Sequence, residues 1–272
     1  MANNTVCRGR QTAFLPRLKP GVSCLFLMKA NICVSENMSG KMARISAISF
    51  NPLSNEFCNE WSKVDRTTCS ICYARRYAST FRQNTVPPYT QNARIMSTRE
   101  VTERDFKKNA FKAGQFVRFL AYGELINDLT FKNFCKIAEL YPDIKATMWT
   151  KRLDIVEPLI DLVPNNMRLM YSTMPVNPSD EIATRIPTGF NGIFNVYTVD
   201  YILEHAREIN CSGSCATCLR CYTQDNIVVN ELVKEHWGNE DARYAQIKDN
   251  CVNYHRLKPV ACERLSETKQ LD

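Results

Sequence analysis

The chain has 272 residues, 44% hydrophobic and 23% charged, enough to bury a sizeable core in one large domain or two small ones. Its 10% aromatic content, only 9 glycines and the lack of any heptad or tripeptide period exclude disordered, collagenous and coiled-coil classes. Net charge is +7 and unevenly spread: residues 1–120 hold 19 basic and 7 acidic side chains (+12), residues 121–272 hold 16 and 21 (−5). The longest apolar run, Cys24 to Met28, is far below the roughly 18 residues of a spanning helix. That run follows Arg8, Arg10, Arg17 and Lys19, but Lys29 cuts it too short for a signal peptide. The expectation is a cytoplasmic protein with no membrane association.

Arg44 to Phe50 reads as the first strand, running into a cysteine-bearing loop at Asn51-Pro52. Cys72 to Asn84 reads as a helix, and Pro88 begins a second one through Asn109, ended by Gly114. These two helices are expected to display Arg75, Arg76, Arg82, Arg94, Arg99, Arg104, Lys107, Lys108 and Lys112, a basic surface for nucleic acid or another anionic partner, or a solvated surface whose partner is the acidic half of the same chain. Then come strand Gln115–Ala121, helix Leu129–Tyr141, strand Lys145–Thr150, helix Leu153–Leu162 and strand Met167–Thr173. A loop with Pro175, Pro178 and Pro187 leads to strand Gly192–Val199. This alternation predicts an α/β fold: parallel strands with helical crossovers, as an open doubly wound sheet or a full or partial barrel. One domain is expected, with an N-terminal extension over 1–40, a βα core over 41–200 and a Cys-rich segment over 201–272. In either architecture ligands gather at the carboxyl ends of the strands. Those ends hold the loop after Phe50, Tyr122-Gly123-Glu124, Lys151-Arg152, Ser172-Thr173 and Asp200.

Thirteen cysteines need an explanation, because a reducing cytosol disfavours disulfides. Cys211, Cys215, Cys218 and Cys221 lie within eleven residues, so short loops can turn four sulfurs toward one metal, and Gly213 eases the wrap. Cys58, Cys69 and Cys72 form C-x10-C-x2-C directly after the first strand. Three thiolates leave a tetrahedral site one ligand short, to be filled by another residue or kept open for chemistry. Spacing alone does not separate zinc from an iron–sulfur cluster. Cys135 belongs on the apolar side of its helix, while Cys7, Cys24, Cys33, Cys251 and Cys262 stand at wide, uninformative spacings. His205, His236 and His255 lack paired metal spacing and read as surface or locally bonded residues.

A cysteine loop ending in Cys72-Tyr-Ala after the first strand, with Tyr-Gly-Glu after the next, resembles the layout of radical S-adenosylmethionine enzymes. More narrowly, Ala47-Ile-Ser-Phe50, Cys58, Cys69-Ser-Ile-Cys72-Tyr-Ala, Arg118-Phe-Leu-Ala-Tyr-Gly-Glu124, Trp149-Thr-Lys-Arg152 and the late cysteines are similar to the phage family called gene product eighty-eight, over roughly residues 38 to 225. The resemblance implies a partial barrel, a 4Fe-4S cluster on Cys58, Cys69 and Cys72, a second centre on Cys211, Cys215, Cys218 and Cys221, and contact of Gly123 and Glu124 with S-adenosylmethionine. Three features depart from the radical-enzyme pattern: the ten-residue first gap, Ile71 before the last cysteine, and Tyr122 in place of a glycine.

The resulting expectation is a phage-encoded iron–sulfur protein of radical S-adenosylmethionine type, working in the bacterial host's cytoplasm on an unknown substrate. Glu124 and Lys151 are the candidate catalytic residues, and Tyr122, Gly123, Glu124, Arg152 and Ser172 the candidate cofactor contacts. The competing expectation is a zinc- or cluster-stapled nucleic-acid-binding or interaction protein without catalysis.

Overall fold

The computed structural model describes residues 31–37, 40–233 and 243–247. One seven-stranded sheet organises them, with strands in chain order: β1 (Ser35–Glu36), β2 (Ser46–Ile48), β3 (Phe116–Phe119), β4 (Lys145–Thr150), β5 (Met167–Val176), β6 (Gly192–Tyr197) and β7 (Ile227–Leu232). Strand β1 is antiparallel to β2, and every later pair is parallel. The strand order never reverses, so the sheet lacks the switch point of a doubly wound fold. The sheet is open, with β1 and β7 as its edges. No helix among the described residues is long and apolar enough to cross a membrane.

Side chains alternate between two faces. Val117, Phe119, Ala146, Met148, Met167 and Leu169 point to one face, where they meet Phe131, Phe134, Ile137 and Ala138 of helix α4 (Asp128–Leu140) in the main core. Each fully buried Phe, Leu or Met here contributes about 1.5–3 kcal/mol. Asn127 begins α4 as expected of a cap: its side chain accepts from Thr130 N at 3.0 Å. Cys135 is buried in this core, where its spacing put it.

The opposite face carries Phe116, Trp149, Met170, Phe194, Ile227 and Val229, covered by Tyr222 and the late cysteine segment. Two sequence expectations change here. The strand after Asp225 had no counterpart in the predicted order, so the sheet continues past residue 200. Strand β5 also runs three residues beyond Thr173, to Val176. Its register with β6 shifts between Ser172 and Val176, and this extension receives the cysteine loop through Thr68 N to Met174 O (2.8 Å) and Val176 N to Arg66 O (2.9 Å).

The helices before β3 are shorter than their sequence pattern. Helix α1 (Glu56–Trp61) forms inside the cysteine loop, α2 covers Tyr73–Ser79, and α3 covers Val86–Thr98 with proline in its first turn. The predicted continuation to Asn109 fails because Asn133 of α4 takes over the end of α3. Its Nδ2 donates to Met96 O and Arg99 O (both 2.8 Å), and its Oδ1 accepts from Val101 N (3.0 Å). Of the nine basic residues expected on two helices, only Arg75, Arg76 and Arg94 lie on α2 or α3; the others occupy connections. The predicted helix Leu153–Leu162 is a single α turn, α5 (Leu153–Val156), continued by a 3-10 turn at Glu157–Leu162.

Asn133 is fully buried, so replacing it strands three backbone groups. Asn133→Leu is expected to cost about 2–4 kcal/mol, read as a lower urea midpoint at unchanged slope.

A candidate metal–thiolate site at the carboxyl end of the sheet

The loop after β2 is built around side-chain hydrogen bonds rather than regular structure. Asn51 Oδ1 accepts from Leu53 N at 3.0 Å, and Asn55 caps α1 by accepting from Cys58 N at 3.0 Å. Asn55 Nδ2 donates to Glu124 O at 2.8 Å, tying this loop to the one after β3. Arg75 of α2 closes the far side, donating to Pro52 O at 2.8 Å and Asn59 Oδ1 at 2.6 Å. Cys58 on α1, Cys69 and Cys72 thus share one loop and lie within electrostatic reach of each other.

Burial is the main influence on the first two. It pushes Cys58 well above the ordinary thiol range, with Glu124, Cys72 and Cys69 adding to it and Arg75 opposing. Cys69 is pushed up to about 11 by burial, against the pull of Lys151. These thiols therefore keep their protons at neutral pH unless a metal displaces them.

The carboxylate of Glu124 is buried. Its Oε1 accepts from Thr150 Oγ1 at 2.6 Å and Leu125 N at 2.9 Å, and its Oε2 accepts from Lys151 N at 2.9 Å. Glu124 thus latches the end of β3 to the end of β4, and one of a carboxylate's four acceptor positions stays open. Burial raises its pKa above the ordinary value despite these donors. Lys151 Nζ donates to Ser172 Oγ at 2.5 Å, joining the ends of β4 and β5, and its charge opposes the raised pKa of Cys69.

The remaining candidates have structural tasks. Gly123 lies at φ +79°, and a Cβ there would come within 2.7 Å of Phe50 O, so glycine serves the packing of adjacent loops. Tyr122 packs its ring against Tyr73 and Tyr89 at 5.8 and 5.7 Å between centroids. Arg152 is spent within the chain: Nε and Nη2 bond Asp154, Nη1 donates to Leu125 O at 3.1 Å, and the guanidinium covers Phe57. His205 stacks on Tyr201 at 4.0 Å, a locally bonded histidine.

Cys211 lies in the preceding loop, and the other three late cysteines occupy two short helices, α6 (Cys215–Cys218) and α7 (Arg220–Thr223), divided by Leu219 at φ +52°. Thr147 Oγ1 of β4 donates to Cys221 O at 3.3 Å, and Cys211, Cys215 and Cys221 pack against Trp149 and Tyr222. Burial raises Cys215, with Arg118 opposing, and pushes Cys221 up to about 12, with Cys215 and Cys218 adding. Cys72 packs beside Ala47 and Cys211, Cys215 and Cys221 pack on the cluster of Trp149 and Met170, so Cys72 and the late set share one side of the sheet. Among the described residues, no three or more His, Cys, Asp or Glu side chains are drawn closely enough together to hold a metal ion. Cys7, Cys24, Cys251, Cys262, His236 and His255 lie outside the described residues. Cys33 is fixed through its backbone, which exchanges hydrogen bonds with Asn92.

The fold and site define an open, mostly parallel α/β protein with cysteine-bearing segments at the carboxyl end and on one face of its sheet. The chain belongs to the Gene product 88 family, whose model matches residues 7–243. No curated protein and no solved structure matches it. The family is the one its sequence resembles, and the match extends further in both directions than the motifs that carry the resemblance.

Sequence reasoning passed over Arg118, Asn55 and Arg75 as site-building residues. Only Arg118 had a signal, a charge inside an otherwise apolar strand, Phe116–Phe119.

A carboxyl with a raised folded-state pKa stabilises most below its unfolded value and loses that contribution as pH rises through the folded one. Unfolding of wild type and Glu124→Gln between pH 4 and pH 8 is therefore expected to show the variant gaining relative stability as pH climbs above 4.5.

Proposed function

We propose that this protein is an iron–sulfur enzyme of radical S-adenosylmethionine type, with Cys58, Cys69 and Cys72 holding the catalytic centre. The observation that carries the proposal is the placing of Cys58, Cys69 and Cys72 in one loop after β2, tied to Glu124 through Asn55 and within electrostatic reach of Glu124 and Lys151 at the carboxyl ends of parallel strands. Six parallel strands in unbroken chain order suit a partial barrel, and such folds place their chemistry at this end. Three soft thiolates suit a cluster with one open position. Metal binding and local folding are coupled, so the ion would supply the energy that draws the sulfurs together.

When bound, the cluster supplies one-electron reduction at its open position. The protein's own residues set the surroundings. Asn55, Arg75 and Thr68 hold the loop; Lys151 offsets the thiolate charge beside Cys69. The open acceptor position on Glu124 suits a cofactor ammonium group. Cys211, Cys215, Cys218 and Cys221 are proposed to hold a second centre that fastens α6 and α7 to the sheet. The proposed setting is the cytoplasm of the bacterial host.

Anaerobic reconstitution with iron and sulfide, followed by metal analysis and absorption spectroscopy, tests this reading. A brown protein is expected, with Cys72→Ala losing one centre and Cys218→Ala losing the other along with stability. A colourless protein carrying stoichiometric zinc would overturn the enzyme assignment and leave a metal-stapled interaction protein.

A further inference from the structure

Residues 66–99 carry six arginines and no aspartate, glutamate or lysine. Two of the six are spent within the chain: Arg75 on Pro52 O and Asn59 Oδ1, and Arg99 on Asp105. Arg82 is exposed, and its guanidinium makes no hydrogen bond or ion pair among the described residues. It lies instead over the ring of Tyr77, 5.7 Å from the centroid. Arg76 is exposed as well, three residues after Tyr73. The surface around α2 is therefore positive, with no acidic side chain from its own segment to neutralise it.

The same surface carries a row of aromatic rings. Tyr73, Tyr77 and Phe81 are spaced by four residues, so the rings follow one another along α2 and past its end at Ser79. Successive rings meet edge to face, with centroids 6.0 and 6.3 Å apart. The row is rooted in the fold, because Tyr73 Oη donates to Ala121 O at 3.0 Å and its ring meets Tyr122 at 5.8 Å. At the far end Phe81 is 79% exposed, the most exposed large apolar side chain among the described residues. A phenylalanine alone on a surface needs no explanation, but this one ends a supported row with an arginine over its middle ring.

Exposed rings beside an unspent guanidinium suit one kind of anion. A duplex keeps its bases stacked inside and offers mainly phosphates, and an acidic peptide offers carboxylates without flat rings to match. A single strand offers phosphates and unstacked bases together. We infer that the row from Tyr73 to Phe81 is a docking surface for single-stranded nucleic acid, with a base stacked on Phe81 and the neighbouring phosphates held by Arg82 and Arg76. Tyr77 orients both ends of this contact, Phe81 through its ring and Arg82 through the cation–π interaction. The surface works whether or not either cysteine set holds metal.

Fluorescence anisotropy of the full-length protein with labelled oligothymidylate and oligouridylate of about 20 nucleotides tests this. At least one strand is expected to bind more tightly than a duplex of equal length, with affinity falling as salt rises. Phe81→Ala is expected to weaken single-strand binding about tenfold, and Arg82→Gln to flatten the slope of log affinity against log salt by about 0.7. Both side chains are exposed, and urea unfolding checks that the variants stay folded. Absence of binding to the wild type, a duplex bound as tightly as the single strands, or unchanged affinity in folded Phe81→Ala overturns the inference. Polyglutamate bound as tightly as the strand would assign the surface to an acidic protein, and a wild-type dimer that Phe81→Ala turns monomeric in sedimentation would assign it to a second copy of the chain; either result equally overturns it.

Discussion

A parallel sheet has to be covered on both faces, because its strands are apolar on both sides. Much of this molecule follows from that constraint. One face is covered in the ordinary way, by crossover helices that pack Phe131, Phe134 and Ile137 onto Val117, Phe119 and Met148. The other has no long helix over it among the described residues. The short, irregular α6–α7 segment covers part of it, with Tyr222 and Leu219 supplying apolar surface and Cys211, Cys215 and Cys221 filling in around them. A segment so short in regular structure needs further fastening, which gives four closely spaced thiols a structural reason to be there.

The same constraint explains why charge on this face is informative. Arg118 and Glu231 interrupt strands whose neighbours are apolar, and neither forms an ion pair among the described residues. At the carboxyl end, by contrast, the buried charge of Glu124 is fully worked into the structure through Thr150, Leu125 and Lys151. Glu124 therefore joins two loops whatever else it does, and its place at a strand end is accounted for by that latch. Gly123 and Arg152 are likewise accounted for, by close packing against Phe50 and by the pairing with Asp154.

Legibility in the sequence followed regularity. Strands β3 and β4 and helix α4 carry long apolar periods and were readable close to their observed bounds. The end of α3 was not, because it depends on Asn133, some 34 residues away, competing for the carbonyl of Arg99. The extension of β5 through Pro175 was hidden for a similar reason: its partner is the cysteine loop, not a neighbouring strand. Ile227–Leu232 has the β-branched composition of a strand, but it follows an irregular segment that breaks the alternation of strand and helix.

The sequence by itself determined the α/β class, the grouping of cysteines into two sets and the core position of Cys135, since each rests on local spacing or periodicity. Tertiary structure decided the open sheet with unreversed strand order, the tie between the cysteine loop and Glu124 through Asn55, and the packing of the late cysteines over Trp149 and Met170. It also divided the candidate polar residues into those already satisfied, such as Arg152, and those left with unspent donors, such as Arg118. That division depends on partners distant in the chain, and a hydrogen bond across a fold leaves no period in the sequence.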